Sequence, residues 1–507
     1  MMFKYVIQDE NMSIYERISQ IIKQEGRVPY NFKLEERNPD EIPFAQGALE
    51  GILGHHSMGK GEDAGKLAEF FKTHLFEEPD KVIEQYEKEC TEFKMATYRD
   101  ELLQEIVENK EEYDANRLVE LAYYMMLQGN KVETVKTGLV LMALFNMSEN
   151  PLVKAALMTL GCCEEFTDYM LINILDWPEE EQNKVYFELA KKLTGWGKIT
   201  AVERLQADTE EIREWILCEG CKNEILYSYL GLVCAEKCDY LERLRAGGLN
   251  EKEIQGASDI MDGLLDEGPC AGISALEDAE ETIYWYLCRS EQGKMGVDYY
   301  SQLLNIKEYL EGEDADSLEW KQKAVNKLEE ILSAIDIKAL VLENLEENVF
   351  TSVSVAKQME IDIGQELFAL MQKDFEKYYT QGYYFFVRKQ YVEEYVALAE
   401  KNLIYEKLPT GMGKEFGIGK QEHWSVNMIV QYLEDYPGLG KELVRVSLKA
   451  RVTNWRTMAA RTLEGWKVRT NQSLREMDLD LYEAVKQVAK EECDEKLQAR
   501  WEALLEE

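Results

Sequence analysis

An all-α protein, arranged as an α-solenoid of antiparallel helix pairs in two parts, is what this 507-residue sequence predicts. Three observations carry that expectation. Apolar residues recur at three- and four-residue steps, as in Leu118, Leu121, Ala122, Met125 and Met126, which is the spacing of one buried helix face. Only nine prolines interrupt the chain, and strand-like alternation is scarce. No β-α-β rhythm occurs, so layers of helix on helix are expected, and the length exceeds that of a single four-helix bundle.

Taken in chain order, 116–128 pairs with 132–146. Asn150-Pro151 and Trp177-Pro178-Glu179 then place proline near the first turn of a helix, where its fixed φ suits the geometry. Residues 209–219 pair with 223–245, within which 225–233 reads as one apolar helix about 14 Å long. Gly- and Asp-rich breaks at 246–250 and 266–272 mark a joint, giving an N-terminal repeat region at 1–250 and a C-terminal one at 251–507. The β-forming run Tyr383 to Val387 lies between helical stretches and is read as helix. Tyr436-Pro437 marks another helix start, and 440–449 pairs with 454–466.

Three segments share a texture. In 134–143, 152–161 and 454–463 a cation (Lys136, Lys154, Arg456) stands two residues in, followed by small and aliphatic residues. This resembles the inner helix of HEAT or armadillo repeats, in which small residues let successive helix pairs stack closely. The stretch 417–466, with its Gly-x-Gly turn, His423 and Tyr436-Pro-Gly438, resembles all-helical bacterial proteins of no assigned function. That second likeness covers about a tenth of the chain.

Composition limits the function classes. Asp and Glu number 97 against 58 Lys and Arg, a formal charge of −39, which repels phosphate backbones and disfavours nucleic acid as a partner. A 45% hydrophobic content with 10% aromatics supplies enough apolar surface to offset ordering entropy, so the chain is expected to fold. The apolar runs at 138–145 and 225–235 are shorter than the ~18 residues of a membrane-spanning helix. The N-terminus carries no secretory pattern, so a cytoplasmic location and no membrane association are expected. Ten cysteines are then read as thiols, with Cys90, Cys162, Cys163, Cys270, Cys288 and Cys493 assigned to packing.

No cofactor motif is complete, and no cofactor is expected. Cys218, Cys221, Cys234 and Cys238 have a zinc-like count, but the helix read at 225–233 separates the two pairs. The chain has four histidines. His55-His56-Ser57, after Gly51 and Gly54, lacks the glycine of a nucleophile elbow and is read as a polar loop. The glycine-dense 410–420 fails both the Walker A and the dinucleotide spacings. It is read as an interhelical loop, with an anion nest between Lys414 and Lys420 as the alternative. The acidic run 311–316 lacks the spacing of a calcium loop. Glu277 to Glu281 resembles half of an Asp-rich magnesium motif and is read as a solvated face.

One charge asymmetry stands out. Between Lys441 and Arg475 nine cations face only Glu442 and Glu464, a charge of +7. Pairing with carboxylates of neighbouring repeats is the simplest reading. The functional reading is a docking strip for a partner or an anion, built on Arg445, Lys449, Arg451, Arg456 and Arg461. The expected function is a non-catalytic helical-repeat scaffold that binds a protein or peptide. An immunity or inhibitor protein turning an acidic surface on a basic toxin is one alternative. An enzyme with a helical cavity using carboxylates, Tyr and Arg is the other, marked by an enclosed pocket and a carboxyl of shifted pKa.

Overall fold

Helix capping and apolar spacing act together from the start of the chain. Ser13 Oγ accepts from Glu16 N–H while the Glu16 carboxylate accepts from Ser13 N–H at 3.0 Å, closing a capping box that starts the first helix. The structure, a computed structural model, describes residues 12–30, 32–34, 44–56, 62–90, 93–268, 270–291, 296–312, 318–402, 408, 410–413 and 421–506. Among them every extended regular element is helical, and an isolated β-bridge joins Thr410 to Ala450. No helix among them is long and apolar enough to cross a membrane.

The described residues form two compact units, one from 12–34, 44–291 and 305–330, the other from 296–304 and 331–506. The breaks at 246–250 and 266–272 therefore lie inside the first unit and do not divide the chain. Side chains bridge them: Tyr240 Oη donates to Ala257 O at 2.7 Å, and Arg289 donates to Leu244 O and Arg245 O at 2.7 and 3.0 Å.

The first unit opens with α1 (Ile14–Glu25), α2 (Ala48–His56), α3 (Gly65–His74), α4 (Pro79–Glu89), α5 (Met95–Glu108), α6 (Ala115–Gln128), α7 (Val132–Met142), α8 (Pro151–Gly161), α9 (Thr167–Ile172), α10 (Glu179–Lys192) and α11 (Trp196–Arg204). Helix α8 begins as its sequence predicts, with Pro151 first and Asn150 Oδ1 accepting from Leu152 and Val153 N–H. The pair α6–α7 is the close hairpin expected at 116–146. A Cβ on Gly138 would lie 2.8 Å from Met126 N and 2.9 Å from Ala122 O, so glycine here lets two helix backbones touch.

The stretch 223–245 departs from expectation. Asn223 Oδ1 accepts from Ile225 and Leu226 N–H at 2.9 and 2.8 Å, and this local turn competes with helix formation. The chain there forms a short 3-10 turn, Tyr227–Tyr229, and two short helices, Gly231–Lys237 and Tyr240–Ala246. They are separated by Asp239 at φ 55°. The apolar helix read at 225–233 is thus replaced by a bend.

In the second unit the core runs from Val297 to Leu504 and includes Tyr395, Phe385, Phe386, Trp455, Trp466 and Trp501. The run from Tyr383 is helical, as Tyr383–Arg388. Pro437, in contrast, opens no helix. It sits in a turn continued by Gly438 and Gly440 at φ 82° and 64°, and the helix Lys441–Leu448 begins only after it. That helix pairs with Thr453–Thr470 as expected.

Two substitutions test this packing. Gly138→Ala pushes a methyl against the α6 backbone and is expected to lower unfolding free energy by about 1–3 kcal/mol in urea titrations. Arg456→Met strands the buried Glu492 carboxylate and is expected to cost about 3–5 kcal/mol, with part of the loss recovered on adding Glu492→Gln.

Candidate functional site

The basic strip of the second unit is largely neutralised at home. Lys441 Nζ lies 2.6 Å from Asp478, Arg445 2.6 Å from Glu442, and Arg461 2.7 Å from Glu434, while Arg469 reaches Asp435. Lys449 and Arg451 are exposed. Arg456 corrects the docking-strip expectation, because it is fully buried. Its Nε and Nη2 donate to Glu492 at 2.9 and 2.7 Å, and its Nη1 donates to the carbonyls of Ala450, Arg451 and Gly413. A guanidinium satisfied on every side holds the fold and has no donor for a partner. Glu442 is three residues from Arg445, but the carboxylate partners of Arg461, Lys441 and Arg456 lie 27 to 37 residues away in sequence, beyond the reach of a local charge count. Lys414, Lys420 and the His423 side chain lie outside the described residues, as do 313–317.

The cysteine and acidic clusters resolve differently from their sequence readings. Cys221, Cys234 and Cys238 are buried, Cys218 is half-buried, and Cys493 is exposed rather than packed. Burial holds the Cys238 thiol well above its ordinary value, and Cys221 Sγ donates to Asp259 O at 3.4 Å. Among the described residues no group of three or more His, Cys, Asp or Glu could hold a metal ion. Glu280 and Glu281, read as a solvated face, are buried. Glu281 instead accepts from Arg245 at 2.8 Å and from the Trp285 indole at 3.1 Å.

A polar cavity of about 460 Å³ lies in the first unit, walled by α2, α5, α9 and α11. Its base is an ion cluster. Lys136, from the apolar helix α7, is 2% exposed and places Nζ 2.6 Å from Glu50 Oε1 and 2.6 Å from Glu165 Oε1. Tyr169 Oη donates to the same Glu50 oxygen at 2.8 Å. Burial alone would depress the Lys136 ammonium, but Glu165 and Glu50 outweigh it and hold it well above its ordinary value. Burial likewise opposes ionisation of Glu50, and Lys136 reverses the balance and lowers that carboxyl. Glu50 Oε2 meets no hydrogen-bond partner.

Helix α11 is fixed at both ends by side chains from elsewhere. Glu164 accepts from the N–H groups of Thr194, Gly195 and Gly197 at 2.7, 2.7 and 2.6 Å, filling the donors and complementing the dipole of the helix start. At its C-terminus Lys237 Nζ donates to Val202, Glu203 and Leu205 carbonyls at 3.0, 2.6 and 2.8 Å. Trp196 then lies flat against α2, where a Cβ on Gly51 would come 2.1 Å from the indole. The His55 ring packs beside Trp196 and Tyr229, at centroid distances of 5.8 and 5.0 Å.

The cavity mouth carries opposed charges. Asp168 takes Arg99 on one carboxylate oxygen and Arg204, at 3.3 Å, on the other, while Arg99 Nε also donates to Asp100 at 2.9 Å. Glu203 stands apart, with Oε1 3.6 Å from His55 Nε2. Burial pushes its carboxyl up to about 7, against the opposing pull of Lys237 and Arg204. Seven carboxyl groups line the cavity against two guanidinium groups and His55, so the space favours positive charge and holds a carboxyl that exchanges its proton near neutrality.

Of these residues the sequence pattern singles out Lys136, as the cation of a repeat-like segment, and His55, in a wrong setting. Residues 51–56, read as loop, form the second half of α2; Ser57 and 59–61 lie outside the described residues. A signal was present in Lys136, a lone cation inside the apolar stretch of α7, which needs a buried carboxylate nearby. The doublet Glu164-Glu165, directly after the apolar end of α8, supplies it. No family model, curated protein or solved structure matches the chain.

The raised Glu203 pKa makes a signed prediction. The folded chain keeps this proton to higher pH than the unfolded chain, so the contribution to stability falls as pH rises from the ordinary 4.5 towards about 7 and stays lost above. Glu203→Gln is expected to exceed the parent by about 1–3 kcal/mol near pH ~8 and to match it near pH ~4, read from paired urea titrations.

Proposed function

We propose that the chain is a non-catalytic helical-repeat scaffold, a HEAT/armadillo-like α-solenoid of antiparallel helix pairs, that binds a basic protein or peptide partner. The observation carrying this reading is the cavity of the first unit, where carboxyl groups outnumber guanidinium groups seven to two in a chain of net charge −39. Complementary charge speeds encounter and selects among partners. Support for the repeat character comes from successive helix hairpins, α6–α7 and α10–α11 in one unit and Lys441–Leu448 with Thr453–Thr470 in the other. An immunity or inhibitor protein directed at a basic toxin is a specific form of the same reading.

A second reading, a helical enzyme working with carboxylates, is favoured by two observations expected of it: a cavity of about 460 Å³ and, on its wall, Glu203, whose carboxyl burial raises to about 7. A carboxyl of this kind can give a proton to, or take one from, a group bound at the rim of a cavity.

Fluorescence anisotropy with an arginine-serine peptide and its glutamate-serine counterpart tests the scaffold reading. The parent is expected to bind the basic peptide with an affinity that falls as salt rises. Asp100→Lys plus Glu101→Lys, at the cavity, is expected to weaken it at least about tenfold, while Glu393→Lys plus Glu394→Lys, in the other unit, changes it by less than about twofold. Equal losses in the two variants assign the binding to bulk charge and overturn the reading.

A further inference from the structure

We propose that the cavity walled by α2, α5, α9 and α11 is a binding site for an organic cation, an ammonium or guanidinium group docking against Glu50 and Glu203. The inference rests on the reading of the chain as a binder of basic partners and names the chemical group the site would take.

Most of the acids around the cavity already have partners. Glu164 is held by three backbone N–H groups, Glu165 by Lys136 and by Gly47 N–H at 2.9 Å, and Asp168 by two arginines. Besides Glu101 near the mouth, two carboxyl groups stand differently. The Glu50 side chain is 6% exposed, yet its Oε2 has no hydrogen-bond partner. Glu203 meets the His55 ring at 3.6 Å, longer than a hydrogen bond. An unpaired oxygen on a buried, ionised carboxylate is costly, and a charged donor admitted to it by a shift of the side chains that cover it relieves that cost.

Charge and shape narrow the ligand. Arg99 and Arg204 do not bar a cation, because Asp168 and Asp100 neutralise them. An anion would meet an excess of carboxylates. A metal ion is disfavoured by geometry, since no cluster of three ligating side chains occurs among the described residues. At about 460 Å³ the space suits an extended amine or a basic side chain rather than a lone water-sized ion. Gly51 and Gly47 keep the wall in place: the first admits the Trp196 ring, and the second, at φ 68°, lets its N–H reach Glu165.

Isothermal titration of the full chain tests the site, with agmatine and spermidine as free amines and an arginine peptide compared with its citrulline form. Saturable binding of agmatine or of the arginine peptide, with no binding of glutarate, is expected. Glu203→Gln is expected to weaken it about tenfold or more, and Glu50→Gln to do the same where circular dichroism shows a folded chain; if it does not fold, Glu203→Gln decides alone. Competition between the arginine peptide and agmatine identifies a partner's side chain as the source, whereas amine binding that the peptide does not displace identifies a free small amine. Absence of saturable binding by every cation, or affinities unchanged in the folded variants, overturns the proposal. If basic peptides still bind through Asp100 and Glu101 while agmatine does not bind, the scaffold reading stands and the cation site falls. Agmatine binding with peptide affinity indifferent to Asp100 and Glu101 gives the reverse.

Discussion

The first unit depends on the burial of one ammonium. Lys136 sits in a helix whose residues from Thr134 to Met142 are all buried, and an unpaired charge at that depth would cost several kcal/mol. Glu50 and Glu165, each 2.6 Å away, are its compensation, and they come from the first turn of α2 and from the link between α8 and α9. Satisfying one cation therefore fixes three parts of the chain at once. The Glu164 carboxylate, next in sequence to Glu165, then anchors the start of α11. The cavity is the space these constraints leave between helices that cannot approach further.

The second unit repeats the same physics. Arg456, at the matching place in its helix, is fully buried and held by Glu492 and three carbonyls. In both helices the cation two residues into an apolar segment is a cross-link, and burial strengthens it only because the charge is paired with buried carboxylates. Lys154, the third member of the set, is partly exposed and pairs with Glu181 at 3.0 Å while lying over the Trp177 ring. The shared texture marks where a cation braces neighbouring helices, and its strength varies with depth.

Closely packed glycines complete this logic in the first unit. Gly231 and Gly263 face each other so tightly that a Cβ on the first would lie 2.4 Å from the backbone of the second, and Gly256 stands equally close to Leu217. Backbone contact of this kind leaves no slack for side chains to choose another register.

The helical class, the hairpins at 116–146 and 440–466, and the helix starts at Pro151 and Pro178 were legible in the sequence, because local periodicity and capping are properties of neighbouring residues. The Asn223 turn was also local, but its side-chain bonds to Ile225 and Leu226 override a strong apolar pattern that points the other way. The cavity was not legible. Glu50, Asp168 and Glu203 are ordinary members of a set of 97 acids until folding sets them beside Lys136, Arg99 and His55. The same holds for Arg456, which local charge counting places on a surface strip and the packed helices place in the core. Sequence alone determines which segments are helices and which faces are apolar; only tertiary structure decides which charges meet, since electrostatic energy depends on distances between residues remote in the chain.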